Sequence, residues 1–455
     1  MKGPPLRKER TDKMRHTFRG GSHVSEYKYT ADREITEMPA PAVLSVMLSQ
    51  HIGVPAVPLV KPGDRVLVGQ MIADVTGGLG CPVHSPVSGK VKGFGKLTNA
   101  AGAPTDCIII ENDGLSEKDP SAVPYPKDIA ETDTEEIIAH IKKCGISGNG
   151  GASFPAYAKL RSAVGKVDTL IINGAECEPF LTADHRLMYE LPEKIIGGAE
   201  ILRHALGLER SIIAIEDNKQ DAITAMSIAA GKYRGRVEIR QLMTKYPQGD
   251  ERQLVYAVTG REIPTGKLPA DAGCVIFNVS TCAAVCDAFA LGMPMISRIV
   301  TVSGDCIRHP SNLLAPIGSS YKDIIEFCGG LIRTPKKVIS GGPMMGFSVR
   351  SLDCSLTKGC SGILLFSERF AGRPGTDESA CIRCGRCHAA CPMHLMTNYI
   401  VSDIKRDDFD GAAALGLMSC VECGSCAYNC PARIPLVQYM RAGKSVIRSK
   451  TAGKQ

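Results

Sequence analysis

The chain has 455 residues, 44% hydrophobic and 22% charged, with 19 cysteines and a formal net charge of +7. That length suggests about three domains. The lack of an apolar run of about 18 residues argues against a membrane span, and no apolar h-region in residues 1–30 signals export, so a reducing compartment explains the cysteines better than a disulfide scaffold does. The positive charge sits at the ends, with seven Lys/Arg in residues 1–19 and six in 431–455 on a mildly acidic body; this suits docking to anionic lipid or an acidic partner, or solvated tails, and without interleaved aromatics it argues against nucleic acid.

Residues 1–40 read as a basic arm, with Phe18-Arg-Gly-Gly-Ser-His23 inside it. Residues 41–114 form a block of short strands punctuated by Gly and Pro, the pattern of a small sandwich or barrel. Its "PGDxVxxGQ … SPVSGKV" signature resembles a barrel-sandwich hybrid of the biotinyl/lipoyl type. No lysine lies between Val75 and Ser85, so the block is expected to carry no such group. After a Pro/acidic linker, residues 130–294 alternate strands (Thr169–Ile172, Ile212–Ile215) with helical stretches (191–206, 218–230), an α/β pattern. Residues 295–349 read as a small α+β module with one amphipathic helix, Tyr321–Cys328, and residues 351–378 as a linker.

Gly145-Ile-Ser-Gly-Asn-Gly-Gly-Ala-Ser-Phe-Pro155 opens the α/β region between two helical segments. Glycines let backbone amides turn into a concavity, and the helix that follows favours an anion. The match to a dinucleotide fingerprint is partial, so a nucleotide loop and a plain turn both stand. Glu176 and Glu178 could be surface carboxylates beside a proline turn, Tyr246 ordinary core, and Asn278 a helix cap.

The C-terminal region carries Cys381, Cys384, Cys387 and Cys391-Pro392, then Cys420, Cys423, Cys426 and Cys430-Pro431, a repeat offset by 39 residues. Each run is C-x2-C-x2-C-x3-C-P, the spacing that wraps thiolates around a 4Fe–4S cluster. Zinc is the rival reading, but its sites use pairs rather than triple runs. In two-cluster ferredoxins the fourth cysteine ligates the other cluster. That assigns Cys381, Cys384, Cys387 and Cys430 to cluster one, and Cys420, Cys423, Cys426 and Cys391 to cluster two, in a ferredoxin-like helical domain at 376–440.

The loop at 145–155, Asn173-Gly-Ala-Glu-Cys-Glu-Pro179, Tyr246-Pro-Gln-Gly-Asp-Glu251 and Asn278-Val-Ser-Thr281 resemble, in order, four motifs of the NADH-oxidising flavin subunit of respiratory complex I. With the barrel-sandwich before them and the double cluster behind, the chain resembles the C subunits of Rnf (Rsx) electron-transport complexes. The resemblance implies a noncovalent FMN with NAD(H) stacked on it. Gly148, Gly150, Gly151 and Lys159 would hold the phosphate and ribityl chain. Asn173, Ala175, Glu176, Cys177 and Asn278 would line the flavin ring, with Gly249, Asp250 and Thr281 beside them. Phe154, Lys159, Glu178, Tyr246 and Glu251 would face the nicotinamide nucleotide, Glu178 and Glu251 as the catalytic pair. Ser153 stands where the complex I flavin motif has glycine, and Ala175 where the complex I subunit has aspartate. The module at 295–349 resembles an SLBB (β-grasp) domain, an interface without chemistry.

The expected fold is therefore multidomain, α/β and α+β. The expected activity is ferredoxin:NAD+ oxidoreduction coupled to H+ or Na+ movement, with hydride exchange between NAD(H) and FMN and single electrons passing to two clusters. Partners would be the other membrane and peripheral subunits, with ferredoxin reached through one of them, on the cytoplasmic side of a bacterial or archaeal membrane. Rival readings are a cobalamin reductase of the propanediol-utilisation type, a soluble flavin subunit of a bifurcating dehydrogenase, and a non-catalytic iron–sulfur wire or scaffold.

Overall fold

The computed structural model describes residues 16–371 and 378–452; residues 1–15 of the basic N-terminal arm lie outside them. The first domain packs an antiparallel sheet, in the order Val43–Met47, Pro104–Asn112, Gly89–Thr98 and Arg65–Val66, against a small sheet of Val57–Pro58, Met71–Asp74 and Val83–His84. Side chains that alternate inward from both sheets (Leu44, Val46, Ile72, Val91, Ile108, Ile110) fill the space between them.

The α/β domain is built on a four-stranded parallel sheet ordered Val237–Leu242, Ser211–Glu216, Thr169–Gly174 and Cys274–Asn278. Succession runs outward from Thr169–Gly174 on one side, then returns to its other side at Cys274–Asn278. Open α/β sheets bind ligands at such a reversal, beyond the carboxyl ends of the strands. Asn173 and Asn278 stand there, paired across the two strands.

Behind the sheet, the helices Pro192–Ala205 and Val279–Ala290 touch backbone to backbone. A Cβ on Gly198 would stand 1.8 Å from the Cys282 carbonyl oxygen. Gly198→Ala is therefore expected to destabilise the domain by about 3 kcal/mol, at the upper end for overpacking, seen as a lower thermal midpoint. Cys282 is fully buried in this contact, as packing rather than chemistry would have it.

A six-stranded mixed sheet follows, ordered Ile35–Glu37, Ser311–Pro316, Ser297–Gly304, Gly362–Phe366, Lys337–Ser340 and Phe347–Val349. Two of its strands come from outside the expected 295–349. Gly362–Phe366, in the stretch read as a linker, lies in the middle of the sheet with all five residues buried. An uninterrupted Ile-Leu-Leu-Phe run is the mark of a strand covered on both faces. Ile35–Glu37 leaves the N-terminal arm and pairs in parallel with Ser311–Pro316.

The C-terminal domain packs Thr397–Ile404 and Leu436–Ala452 around Leu395, Ile400, Leu417 and Met440. No helix among the described residues is long and apolar enough to cross a membrane. Three of the C-terminal cations are used internally: Lys444 donates to the Cys420 carbonyl and to Glu422, Arg441 pairs with Glu422, and Lys450 lies over the Phe409 ring. The tail is thus less free to dock than its composition suggests.

Candidate active site and cluster centres

The glycine loop crosses the carboxyl ends of the parallel strands. Gly148 N–H donates to the Phe154 carbonyl (2.8 Å), and Asn149 N–H donates to Thr281 Oγ1 (2.9 Å). Among the described residues, the N–H groups of Gly150, Gly151, Ala152 and Ser153 have no acceptor. Such a row of unclaimed amides ahead of a helix, here Ala156–Ala163, forms an anion nest. Ser153 sits at φ +51°, a backbone region that suits the glycine of the resembled complex I motif.

The loop borders a cleft of about 290 Å³, near the lower end of ligand-site sizes. Gly148, Gly150, Phe154, Lys159, Asn173, Glu176, Cys177, Glu178, Tyr246, Gly249, Asp250, Glu251, Asn278 and Thr281 all line it. Two expected residues do not. Gly151 turns at φ +97° at the loop's exposed tip, and Ala175 is fully buried behind the sheet with Ile171 and Leu254. A small apolar side chain packs there, where the resembled complex I motif has aspartate.

Several polar side chains serve the backbone. Asn173 Nδ2 donates to the Gly249 carbonyl (2.9 Å), and Gly249 N–H points at Cys177 Sγ (3.4 Å). Asp250 caps the helix Glu251–Thr259, and Asn278 caps Val279–Ala290. Asn278 Nδ2 also donates to Asp184 (2.7 Å), whose other oxygen accepts from Ser280 Oγ. Burial pushes the Asp250 carboxyl up to about 6.

The two glutamates of the Asn173–Pro179 motif differ in what they hold. Glu176 accepts from the N–H groups of Asp184 and His185 (2.7 and 3.0 Å) at the start of the helix Ala183–Glu190. Glu178 accepts from Met344 and Met345 N–H (3.0 and 2.9 Å). Both carboxyls are pushed up to about 7, chiefly by burial. Glu178, expected as a catalytic group, thus fastens a loop of the SLBB-like sheet over the cleft and brings Met345 into its wall. Glu251, the other expected catalytic residue, pairs with Lys159, which also donates to the Ile276 carbonyl (3.0 Å).

Tyr246 is 1% exposed, yet it lines the cleft, and its hydroxyl donates to the Cys423 carbonyl (2.7 Å). It spans the distance from the cleft wall to a cluster loop. The segment Gly20–Ser22 is clamped across the same junction. Ser22 exchanges backbone hydrogen bonds with Tyr246, Gly21 N–H donates to the Ala390 carbonyl, and Asn429 donates to Ser22 Oγ.

The two cysteine runs repeat in three dimensions. Arg383 and Glu422, Gly385 and Gly424, and His394 and Arg433 all have positive φ, each pair 39 residues apart. Cys381, Cys384, Cys387 and Cys430 line one cavity of about 150 Å³, walled by Ile382, Val401, Ile434 and Leu436. Cys430 thus shares a cavity with the first three cysteines of the other run, and Cys391 lies close enough to act on Cys420, Cys423 and Cys426 as well as on Cys387 of its own run. Backbone N–H groups point at two sulfurs, Leu395 to Cys391 (3.4 Å) and Glu422 to Cys420 (3.3 Å), contacts of the kind that tune cluster potentials.

Among the described residues no three His, Cys, Asp or Glu side chains close around a single ion; cubane thiolates stand instead at the corners of a four-iron cage. Four thiols around one apolar cavity fit such a cage. The cleft fits a flavin nucleotide in two ways, through the unclaimed amides and through Asn149 Oδ1, which is buried without a partner.

Lys28, Arg298 and Lys219 escape sequence reasoning. Lys28 Nζ donates to the carbonyls of Glu176, Glu178 and Leu181, Lys219 to that of Ala175, and Arg298 to that of Asn149. Lone lysines and arginines far along the chain carry no local signal for such contacts.

Four family models match the chain: the RnfC barrel sandwich hybrid domain (16–115), the Nuo51 FMN-binding domain (141–287), the SLBB domain (299–348) and the 4Fe-4S dicluster domain (373–431). The C subunit of the proton-translocating ferredoxin:NAD(+) oxidoreductase complex of Clostridium ljungdahlii is 43% identical over 97% of this chain and 96% of its own. Its Na(+)-translocating counterpart from Acetobacterium woodii is 42% identical over 95% and 97%, and the C subunit of the ion-translocating oxidoreductase complex of Rhodobacter capsulatus 43% over 96% and 84%. With that identity across nearly its whole length, and with a flavin-type cleft joined to two cysteine cages, the chain belongs to the family of C subunits of Rnf ion-translocating ferredoxin:NAD+ oxidoreductase complexes.

Proposed function

We propose that this chain is the peripheral subunit through which NAD(H) exchanges electrons with the rest of an Rnf-type complex, on the cytoplasmic face of the membrane. The observation that carries this is Tyr246, which joins the cleft to the loop of cluster two within one chain. Bound FMN supplies the conversion between hydride transfer and single-electron transfer.

The chain's own residues bind and orient. The amides of Gly150, Ala152 and Ser153 and the ammonium of Lys159 would hold the phosphate end, while Asn173, Glu176, Cys177 and Asn278 would surround the ring. Glu178 keeps the Met345 wall in place and excludes water. The Lys159–Glu251 pair and Phe154 stand toward the nicotinamide nucleotide. Cluster two lies beside the cleft. Cluster one lies at the surface, where Cys381 and Cys384 are exposed and Ile382 is 67% exposed, and it faces the partner subunits. Ion movement, of H+ or Na+, belongs to membrane-embedded partners.

Anaerobically purified chain is expected to hold about one FMN and about eight irons, and NADH should bleach the flavin absorbance and reduce the clusters. A colourless, zinc-bearing preparation that NADH leaves unchanged would refute the assignment.

A further inference from the structure

We infer that Arg298, on the strand Ser297–Gly304 of the SLBB-like sheet, is a positioning residue for the phosphate end of the flavin nucleotide, holding the underside of the glycine loop so that its amides face the cleft. The inference rests on the flavin reading above.

Arg298 is 4% exposed. Its guanidinium donates to the carbonyls of Asn149 (2.8 Å), Lys358 (2.8 Å) and Cys360. Lys358, equally buried, donates to the carbonyls of Gly145 (2.7 Å) and Pro82 (2.8 Å). Two adjacent cations thus grip the loop at its first residue and at its middle. Neither forms an ion pair with a carboxylate among the described residues. Buried cations elsewhere in the chain do, as Lys219 does with Glu216 and Arg186 with Glu190. The Asp184 carboxylate, which also lines the cleft, acts on Arg298 from beyond ion-pair distance, and the guanidinium itself is held by the three carbonyls.

The peptide geometry says where the phosphate sits. In a trans peptide the C=O and the following N–H point to opposite sides. Tying the Asn149 oxygen to Arg298 below turns the Gly150 N–H to the open side, where it has no acceptor among the described residues. Thr281 takes the Asn149 N–H. Asn149 Oδ1, in a residue 5% exposed that lines the cleft, is left without a donor. A phosphate monoester on the amides and a ligand hydroxyl on Asn149 would satisfy both groups.

The test compares FMN with riboflavin, which lacks the phosphate. Flavin is removed from the full chain, and each ligand is titrated by fluorescence quenching. In Arg298→Met, FMN affinity should fall about tenfold or more, while riboflavin affinity stays within about twofold of wild type. Equal losses for both ligands, or no loss for either, would overturn the inference. A second measurement uses only the wild-type chain, in case the variant does not fold. Hydrogen exchange at Gly150 to Ser153 should slow with FMN and not with riboflavin, and equal protection by both would overturn it. If wild type binds neither flavin, the flavin reading itself fails, a result distinct from either outcome for Arg298.

Discussion

Replacing Cys391 by alanine should abolish the same cluster signal as replacing Cys420, and replacing Cys430 the same signal as replacing Cys381. Each change should cut iron from about eight to about four per chain. The reason is the crossing of the two runs. Cys430 shares a cavity with Cys381, Cys384 and Cys387, and Cys391 lies within electrostatic reach of Cys420, Cys423 and Cys426 as well as of Cys387. The proline after each fourth cysteine starts the segment that carries it across. Iron analysis with low-temperature electron paramagnetic resonance would check this. If Cys391→Ala erased the signal lost in Cys381→Ala, each run would bind its own cluster and the crossing would be wrong. Because cluster two adjoins Tyr246, Cys391→Ala should also stop NADH from reducing cluster one, whereas Cys430→Ala should leave NADH reduction of cluster two intact.

Lys28→Met should loosen the cleft more than its position in the sequence would suggest. Lys28 Nζ donates to three carbonyls, of Glu176 (2.8 Å), Glu178 (2.9 Å) and Leu181 (2.7 Å). The same segment stacks Tyr27 on Phe180, with ring centroids 5.1 Å apart, and bonds Thr30 to Thr182 (2.5 Å). Losing a charged donor from buried acceptors costs about 1–3 kcal/mol. A thermal midpoint lowered accordingly, together with weaker FMN binding, is the expected result; unchanged flavin affinity would show that the strap does not shape the site.

The charge of Lys28 also acts on the carboxyls. It lowers the pKa of Glu176 and of Glu178 against the larger, opposite effect of burial, which leaves both at about 7. For a carboxyl raised in the folded state, the stabilising contribution is complete below the unfolded value, about 4.5, and is lost as pH rises through about 7. The flavin-free chain should therefore lose stability between pH 5 and pH 8, and Glu176→Gln should flatten part of that slope. In Lys28→Met the loss should begin at the same pH but extend to higher pH.

Much of the cofactor chemistry was legible in the primary structure, because iron–sulfur cages and anion nests are built from residues close together in the chain. Three cysteines of each run, and the whole Gly145–Pro155 run, lie within a single short loop. Strand and helix positions in the α/β domain followed from apolar alternation, and Asn278 proved to be the helix cap that its residue type allows. Glu178 is different. Its motif marked it for the nicotinamide, yet both of its oxygens are taken by Met344 and Met345, partners 166 and 167 residues away along the chain.

The amino-acid sequence by itself determined the doubled cysteine spacing, the glycine loop and the family, since each depends on local spacing. Only the tertiary structure decided that Gly362–Phe366 lies at the centre of a sheet, that Lys28 and Arg298 hold the cleft from other domains, and that Tyr246 links it to cluster two. Such contacts join residues far apart in the chain. A long flexible side chain such as Lys or Arg finds its carbonyl acceptors only after the domains have packed, so its neighbours in sequence say nothing about where its charge will rest.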